Sequence, residues 1–306
     1  MKRLCVGRNG VVFNLPMPLY TLPILLAFLL FNVAACTKKH VAAPLSGSTD
    51  SLSYLTDTSG YSTPSNLTGY TLVWHDEFDG NGIDTASWNF ETGNGPGGWG
   101  NNELEYYTAS HANVFTAKGK IVLEARKEEK NGFQYTSARI NTKNKRAFTY
   151  GRVDIRAKLP FGKGIWPALW MLGQSDDSVG WPACGEIDIM ELLGQKPNKV
   201  YGTLHWGAEW PVHVSKGRSY SFNGSFSNQF HVFSLSWEKD SYKILVDDKA
   251  FFSATGADIA PYNNPFTKPH YFIFNVAVGG NWPGSPDTAT VFPQRMIVDY
   301  IRVFQK

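Results

Sequence analysis

Apolar and polar residues alternate along many short segments of the chain, and a period of two indicates β-strands whose side chains face opposite sides of a sheet. The alternation is clearest in residues 120–126, 151–157, 232–237 and 243–247. Clusters of Gly, Asn, Asp and Pro separate these segments, and no long stretch has the helical period of 3.6 residues. Many short strands at near-regular spacing predict a single all-β domain, either a sandwich or a barrel.

One predicted strand is unusual, because residues 185–192 place three carboxylates among aliphatic side chains. Glu186 and Asp188 alternate with isoleucines and would share one face, while Glu191 follows one position late. A β-bulge would return Glu191 to the face of the other two acids. Two glutamates flanking an aspartate suit glycoside hydrolysis. The residues alone also allow a structural calcium site or a solvated acidic face.

The N-terminus has the features of an export signal. Residues 1–8 are basic, and residues 19–33 are almost wholly apolar. Cys36 follows small residues, as in a bacterial lipobox, so we expect residues 1–35 to be removed and Cys36 to carry a lipid. An uncleaved transmembrane anchor is the alternative, but the apolar run is short for a bilayer span. Either way the protein would be exported and held at a membrane, in the periplasm or at the cell surface, with the outer membrane as the expected one.

Composition divides the rest of the chain into two parts. Residues 36–66 are rich in Ser, Thr, Gly and Pro, and predict a flexible tether. Residues 67–306 are enough for one large domain. Cys5 belongs to the leader and Cys36 would carry lipid, so Cys184 is left as a packed structural thiol.

Charge and aromatic content narrow the class of partner. The net charge is only +3 and no basic stripe runs along the chain, so a nucleic acid partner is not expected. The 10 Trp, 14 Tyr and 20 Phe fit either sugar stacking or a thick aromatic core. Trp166 and Trp170 are four residues apart in a strand-like segment and would share one face.

Residues 186–191, Glu-Ile-Asp-Ile-Met-Glu, resemble the catalytic signature of glycoside hydrolase family 16, in the bulged form of its laminarinase-like β-1,3-glucanases. Other motifs similar to those of the family follow in the family's order, at residues 74–78, 101–107, 135–140, 164–171, 202–206, 275–282 and 298–303. Together they cover roughly residues 68–306. The resemblance implies a concanavalin-like β-jelly roll, in which two curved antiparallel sheets form a sandwich with an open concave cleft.

The resemblance also implies a role for each of the three acids. Glu186 would be the nucleophile and Glu191 the acid/base of a retaining mechanism. Asp188 would hydrogen-bond Glu186 and help to set the pKa values of the two glutamates apart.

Residues that match substrate-binding positions of the family are Trp99, Asn101, Arg139, Trp166, Trp170, His205, Trp206, Asn281 and Trp282. Asn101 and Arg139 match positions on the non-reducing side of the cleft. His205 and Trp206 match the leaving-group side.

A structural Ca²⁺ ion on the convex face is a further implication of the resemblance. Its ligands would be Glu77, the backbone carbonyl of Gly119 and Asp299. Oxygen-only ligation suits calcium, and the ion would tie the first and last strands together. An Asp299 that merely ends a strand is the alternative. No cofactor is expected for catalysis, and we expect a monomer.

Endo-acting, retaining hydrolysis of laminarin-type β-1,3-glucan is therefore the expected activity. Met190, the extra residue, favours this branch over enzymes that cut mixed-linkage β-1,3-1,4-glucan, although both activities can coexist. No cluster of Arg and Lys points to a sulfated galactan.

A surface glycan-binding lipoprotein without catalysis is the alternative from another class. Retention of all three acids argues against it, because unpaired acids in a cleft would be an uncompensated cost. The ratio of hydrolysis to transglycosylation is left open.

Overall fold

The computed structural model describes residues 49–306, with side chains from residue 52 onward. The strands are β1 (Thr71–Asp76), β2 (Asn89–Glu91), β3 (Glu105–Tyr107), β4 (Val114–Thr116), β5 (Ile121–Ala125), β6 (Tyr135–Ser137), β7 (Arg139–Asn141), β8 (Ala147–Phe148), β9 (Gly151–Lys158), β10 (Ile165–Gly173), β11 (Glu186–Leu192), β12 (Lys199–Gly207), β13 (His213–Ser221), β14 (His231–Glu238), β15 (Ser241–Val246), β16 (Lys249–Thr255), β17 (His270–Val278) and β18 (Gln294–Gln305). Helical segments are short: 3₁₀ turns at Thr49–Leu55 and Pro265–Thr267, a π turn at Gly98–Asn102, and α-helices α1 (Asp176–Val179) and α2 (Gly256–Ile259).

The strands form two large antiparallel sheets. The first has the order β16-β15-β14-β9-β18-β5-β4, and β1 also pairs with β18. The second has the order β13-β12-β11-β10-β17-β7-β2, and β8 also pairs with β17. A small parallel pair joins β3 and β6. The acidic strand β11 therefore lies inside the second sheet, between β10 and β12.

One hydrophobic core lies between the sheets. In β12, Val200, Leu204 and Trp206 are core residues, while His205 is only partly buried. Burying each large apolar side chain of this kind contributes about 1.5–3 kcal/mol. The four strands that the alternation predicts correspond to β5, β9, β14 and β15. The predicted all-β jelly-roll sandwich is confirmed.

The domain begins earlier than the composition predicts. Leu55 is 1% exposed and lies in a small hydrophobic cluster with Val122, Phe230 and Ile297. This cluster is separate from the main core and includes residues of β5 and β18 in the first sheet. Residues 52–66 thus include part of a packed layer, which corrects the predicted boundary at residue 67.

Two arginines hold the backbone of this N-terminal segment. The Arg156 guanidinium donates hydrogen bonds to the carbonyls of Thr58 and Tyr61, at 2.7 and 2.6 Å. Arg302 donates to the carbonyl of Thr63 at 2.7 Å. Backbone carbonyls can accept hydrogen bonds whatever the side chain. A segment poor in large apolar residues can therefore still be fixed to the domain.

The predicted leader, residues 1–35, and the predicted lipidation site Cys36 lie outside the described residues. Between residues 49 and 306, no helix has both the length and the apolar character needed to cross a bilayer. Cys184 is buried and unpaired with another cysteine, and burial raises the pKa of its thiol to about 12. This agrees with a structural thiol.

Candidate active site

A cleft of about 680 Å³ runs across the second sheet. Side chains of β7, β10, β11, β12, β13 and β17 line it, together with residues of the adjoining loops. This volume lies within the range of about 300–1,000 Å³ that ligand sites have. The three acids of β11 all line the cleft.

A β-bulge in β11 brings the acids to one face. Asp188 pairs with Thr203 of β12, and Glu191 pairs with Tyr201. β11 therefore advances by one residue more than β12 over the same stretch. The apolar residues between the acids, including Met190, point into the core. The predicted bulge and the shared acidic face are confirmed.

Burial raises the pKa of all three carboxyls. For Glu186, burial and then repulsion from Asp188 raise the pKa to about 8, although 19% of the side chain is still exposed. Burial raises the pKa of Asp188 to about 8, against a hydrogen bond with Glu186 that lowers it. Burial and then the charge of Asp188 raise the pKa of Glu191 well above its ordinary value. The cluster therefore retains protons near neutral pH, as an acid/base requires.

His205 of β12 faces the same acids. Its Nε2 lies 3.0 Å from Oδ2 of Asp188 and 3.9 Å from Oε1 of Glu186. Its Nδ1 lies 2.8 Å from Nε2 of His213 on β13, so one imidazole donates a hydrogen bond to the other. Burial and the charge of His205 lower the pKa of His213. His213 therefore acts as a neutral partner that orients His205 toward the acids.

Trp166 and Trp170 of β10 share the cleft face, as predicted. The indole Nε1 of Trp166 donates to Oε1 of Glu191 at 3.0 Å. The indole Nε1 of Trp170 donates to Oδ1 of Asn275 at 2.8 Å. Because both N–H groups have partners, the rings can contribute apolar faces to the cleft without a buried unsatisfied donor.

Arg139 is held between aromatic rings at the β7 end of the cleft. Its guanidinium carbon lies 4.3 Å from the ring centroid of Trp99 and 5.0 Å from that of Trp170. It also pairs with Glu91. Burial alone would lower the pKa of Arg139, but the charge of Glu91 holds that pKa above its ordinary value. Trp99 and Arg139 line the cleft, as predicted.

Two loops bring further predicted residues to the cleft. Asn101 lines the cleft, and its Nδ2 donates to Oε1 of Glu103 at 3.2 Å. Trp282 is 42% exposed and meets Trp166 edge-on, with ring centroids 5.5 Å apart. Asn101 and Trp282 therefore both line the cleft, as predicted.

Asn281 lies on the rim and does not line the cleft. Its backbone N–H donates to the carbonyl of Asn101 at 2.8 Å, and its Oδ1 accepts from Asn102 at 2.9 Å. Asn281 thus joins two loops. Asn281 therefore holds the Asn101 loop in place, and its predicted sugar contact stays a prediction.

The cleft role predicted for Trp206 is wrong. Trp206 is 2% exposed, and its ring packs in the core 6.4 Å from that of Phe266. Thr203 and His205 line the cleft from the same strand. Strand alternation therefore turns residue 206 to the opposite face.

The two carboxylates predicted to hold calcium are already paired with arginines. Arg302 donates to both carboxylate oxygens of Glu77, at 2.8 Å each. Arg156 donates to Oδ2 of Asp299 at 2.8 Å. A calcium ion would have to compete with a guanidinium for each carboxylate.

A lysine lies beside the third predicted calcium ligand, Gly119. The ammonium of Lys120 is buried, donates to the carbonyl of Lys118 at 3.1 Å, and lies 3.5 Å from Oδ1 of Asp299. A positive charge at this position opposes a second cation. The residues present do not fit the calcium site that the resemblance implies.

Within residues 49–306, metal-ligand atoms converge in the cleft. Glu186, Asp188 and His205 each bring one ligand atom within 4.8 Å of the others. Such a set could hold a divalent ion, with carboxylate and imidazole ligands that suit zinc. An ion there would occupy the carboxylates that the chemistry requires.

Two residues at the His205 end of the cleft were not predicted. Trp181 and His213 line it, with ring centroids 4.7 Å apart. The sequence did contain a signal for Trp181, which lies between Gly and Pro. Trp99, between two glycines, and Trp282, before a proline, have a similar context, which is typical of loops. For His213, no spacing in the sequence gave an equivalent signal.

Comparison with known proteins agrees with this geometry. The profile of the family described as Glycosyl hydrolases family 16 matches residues 101–302. The chain is 45% identical over 262 residues to the glucan endo-1,3-beta-glucosidase A1 of Niallia circulans, covering 78% of this chain and 38% of that protein. It is 39% identical over 247 residues to a beta-glucanase of Rhodothermus marinus, covering 77% and 85%. The laminarinase catalytic domain of Thermotoga maritima has a TM-score of 0.72 at 47% identity, covering 78% and 98%.

Proposed function

This chain belongs to glycosyl hydrolase family 16, and we propose that it is a retaining, endo-acting hydrolase of β-1,3-glucan. The observation that carries the proposal is the bulge in β11, which places Glu186, Asp188 and Glu191 on the cleft face. A nucleophile and an acid/base on either side of a glycosidic bond are what double displacement with retention requires.

In the first step, Glu186 attacks the anomeric carbon in its ionised form, and the proton that the acidic cluster retains is held on Glu191. The bond from that carbon to the leaving oxygen breaks, and Glu191 transfers its proton to this oxygen. Glu191 suits this role because its pKa is raised by burial and by the charge of Asp188. The product is a glycosyl ester of Glu186 and a shortened glucan chain.

In the second step, ionised Glu191 takes a proton from a water molecule. The water oxygen attacks the anomeric carbon and the ester bond to Glu186 breaks, which restores the starting carboxylate and the original anomer. Asp188 shares the cleft face with the two glutamates, and after burial its charge raises the pKa of both. We infer that Asp188 hydrogen-bonds Glu186 during the reaction and holds the nucleophile in place while its charge changes.

The layout of the cleft supports attack within a long chain. Residues of β7 line one end and His213 of β13 lines the other, with the acids of β11 between them. A polysaccharide lying across the strands would contact the protein on both sides of the scissile bond. Such contacts favour internal cleavage over removal of terminal residues.

The β-1,3 linkage is proposed from the bulge residue and from the relatives. Met190 provides the extra residue of the laminarinase-like signature, and relatives named as 1,3-β-glucanases or laminarinases match at 45–47% identity. The chain spans about two fifths of the first of these relatives, 38% of its length. The substrate is for this reason proposed for the present domain alone.

A product-resolved digest tests the proposal. Laminarin and barley-type mixed-linkage glucan are incubated separately with the enzyme, and the anomer of each new reducing end is read by NMR before it equilibrates. We expect short β-1,3 oligosaccharides with the β-anomer formed first. Cleavage of the mixed-linkage glucan alone would overturn the substrate, and cleavage of neither with laminarin still bound would favour a glycan-binding protein.

Two isosteric variants test the roles of the acids. Glu186→Gln should abolish hydrolysis and leave laminarin binding intact. Glu191→Gln should lower glucan hydrolysis by about 10²–10⁴-fold. Its activity should return with azide on an aryl glycoside, whose good leaving group needs no proton. Near-wild-type turnover of Glu186→Gln would refute the mechanism.

We also propose that the protein is exported and anchored by a lipid on Cys36. The basic, apolar and small-residue segments that precede Cys36 in the sequence support this. The test is radiolabelled palmitate incorporation in cells, with Cys36→Ala as the matched control. Label in the wild type alone supports the anchor, whereas equal label in both, or in neither, would overturn it.

A further inference from the structure

A pair of tryptophans lies on the surface beyond the β13 end of the cleft. Trp210, in the hairpin between β12 and β13, is 62% exposed, the highest exposure of any tryptophan in the described part of the chain. Trp181 is 36% exposed, and the two ring centroids are 5.4 Å apart with a tilt of 34°. Keeping two large apolar rings in water is costly, so such a pair commonly marks a binding surface.

The pair is continuous with the catalytic centre. The Trp181 ring lies 4.7 Å from that of His213, which stacks on His205 at 5.0 Å with a tilt of 13°. His205 in turn lies 3.0 Å from Asp188. An unbroken row of flat rings therefore leads from the catalytic acids to Trp210.

The row has the chemistry of a carbohydrate surface. Indole faces are apolar and flat, as are the faces of pyranose rings, while the imidazoles add polar groups for hydroxyls. Charged residues are not part of the row. A neutral polymer of sugar rings fits it better than a peptide with charged side chains would.

We propose that Trp210, supported by Trp181, forms a distal subsite for β-glucan on the leaving-group side of the cleft. It would hold a sugar ring beyond those next to the scissile bond. The inference rests on the proposed function and on the direction of the chain across the cleft. Its consequence is a preference for substrates long enough to reach Trp210.

Chain length is the variable that tests this subsite. For Trp210→Ala we expect kcat/KM on laminarihexaose and laminarin to fall by about three- to tenfold, the size of one aromatic contact. On an aryl β-laminaribioside, whose leaving group cannot reach Trp210, kcat/KM should be unchanged. Trp210→Phe keeps a ring and should retain most of the wild-type preference for long chains.

Phe161→Ala is the matched control, because Phe161 is 50% exposed and does not line the cleft. It should not alter the dependence on chain length. If the ratio of wild-type kcat/KM to Trp210→Ala kcat/KM is the same on short and long substrates, the subsite alone is overturned. If the wild type cuts neither the aryl laminaribioside nor laminarin, the proposed function is overturned instead.

The same variant separates a sugar subsite from an interface between two copies of the chain. We expect wild type and Trp210→Ala to elute at the same apparent mass in gel filtration. A wild-type dimer that Trp210→Ala converts to a monomer would assign the exposed rings to self-association, and would overturn the subsite.

Discussion

The indole Nε1 of Trp166 donates a hydrogen bond to Oε1 of Glu191 at 3.0 Å. Strand pairing sets this contact, because Ala168, two residues along β10, is the partner of Glu191 in β11. The hydrogen bond favours the ionised carboxylate and lowers the pKa of Glu191, against burial and the charge of Asp188, which raise it. One cleft-lining ring therefore also orients the proposed acid/base and lowers its pKa.

Trp166→Phe removes this donor and keeps an aromatic ring. We expect the pKa of Glu191 to rise further, so that the alkaline limb of the kcat/KM profile moves to higher pH. We also expect kcat on laminarin to fall by about ten- to a hundredfold, because the acid is less well oriented. A pH–rate series on wild type and variant measures both. A lower kcat with an unmoved alkaline limb would mean that Trp166 only binds sugar.

Asp188→Asn should make the protein less sensitive to alkali. Folding raises the pKa of Asp188 and of Glu186 from 3.8 and 4.5 to about 8. The folded state therefore holds protons that the unfolded chain has released, so stability is full below about pH 4 and falls as pH rises toward about 8. The substitution removes one of these groups and the repulsion that it exerts on Glu186.

Melting temperatures at about pH 5 and about pH 8 measure this effect. The drop in melting temperature between the two pH values should be smaller for Asp188→Asn than for wild type, while hydrolysis falls. Asp287→Asn, the same change at an exposed carboxylate, is the control and should show the wild-type drop. An identical drop in all three proteins would show that the cleft acids do not limit stability at high pH.

The acidic face of β11 could be predicted because strand alternation is a local property. Glu186 and Asp188 alternate with core isoleucines, and the late position of Glu191 required one bulge. The same rule, applied to β12, would have placed residue 206 in the core once His205 was assigned to the cleft. Two adjacent residues of a strand cannot share one face, so His205 and Trp206 cannot both line the cleft.

Other features depend on contacts between distant segments and had no local signature. His213 reaches His205 only because the hairpin of β12 and β13 folds back on itself. The N-terminal segment is fixed by Leu55, by backbone hydrogen bonds with Phe230, and by backbone carbonyls that accept from Arg156 and Arg302. Amino-acid composition does not indicate which backbone carbonyls accept hydrogen bonds from distant side chains. The composition of this packed segment therefore predicts a flexible tether.

Calcium chelation should leave the stability of the domain unchanged. Glu77 is bound by Arg302, and Asp299 faces both Arg156 and Lys120, so their charges are compensated without an ion. Melting curves in EDTA and in excess CaCl₂ should coincide. A melting temperature that rises with calcium would contradict this expectation.

Leu55→Ala should destabilise the domain although the residue lies in the predicted tether. Leu55 is 1% exposed in the cluster with Phe230, so the change should lower the free energy of unfolding by about 2–5 kcal/mol. Val291→Ala, at a position 68% exposed, should change it by less than about 0.5 kcal/mol. Urea unfolding measures both. Equal stability of the two variants would mean that the buried side chain of Leu55 contributes no stability, and that its cluster is not part of the folding unit.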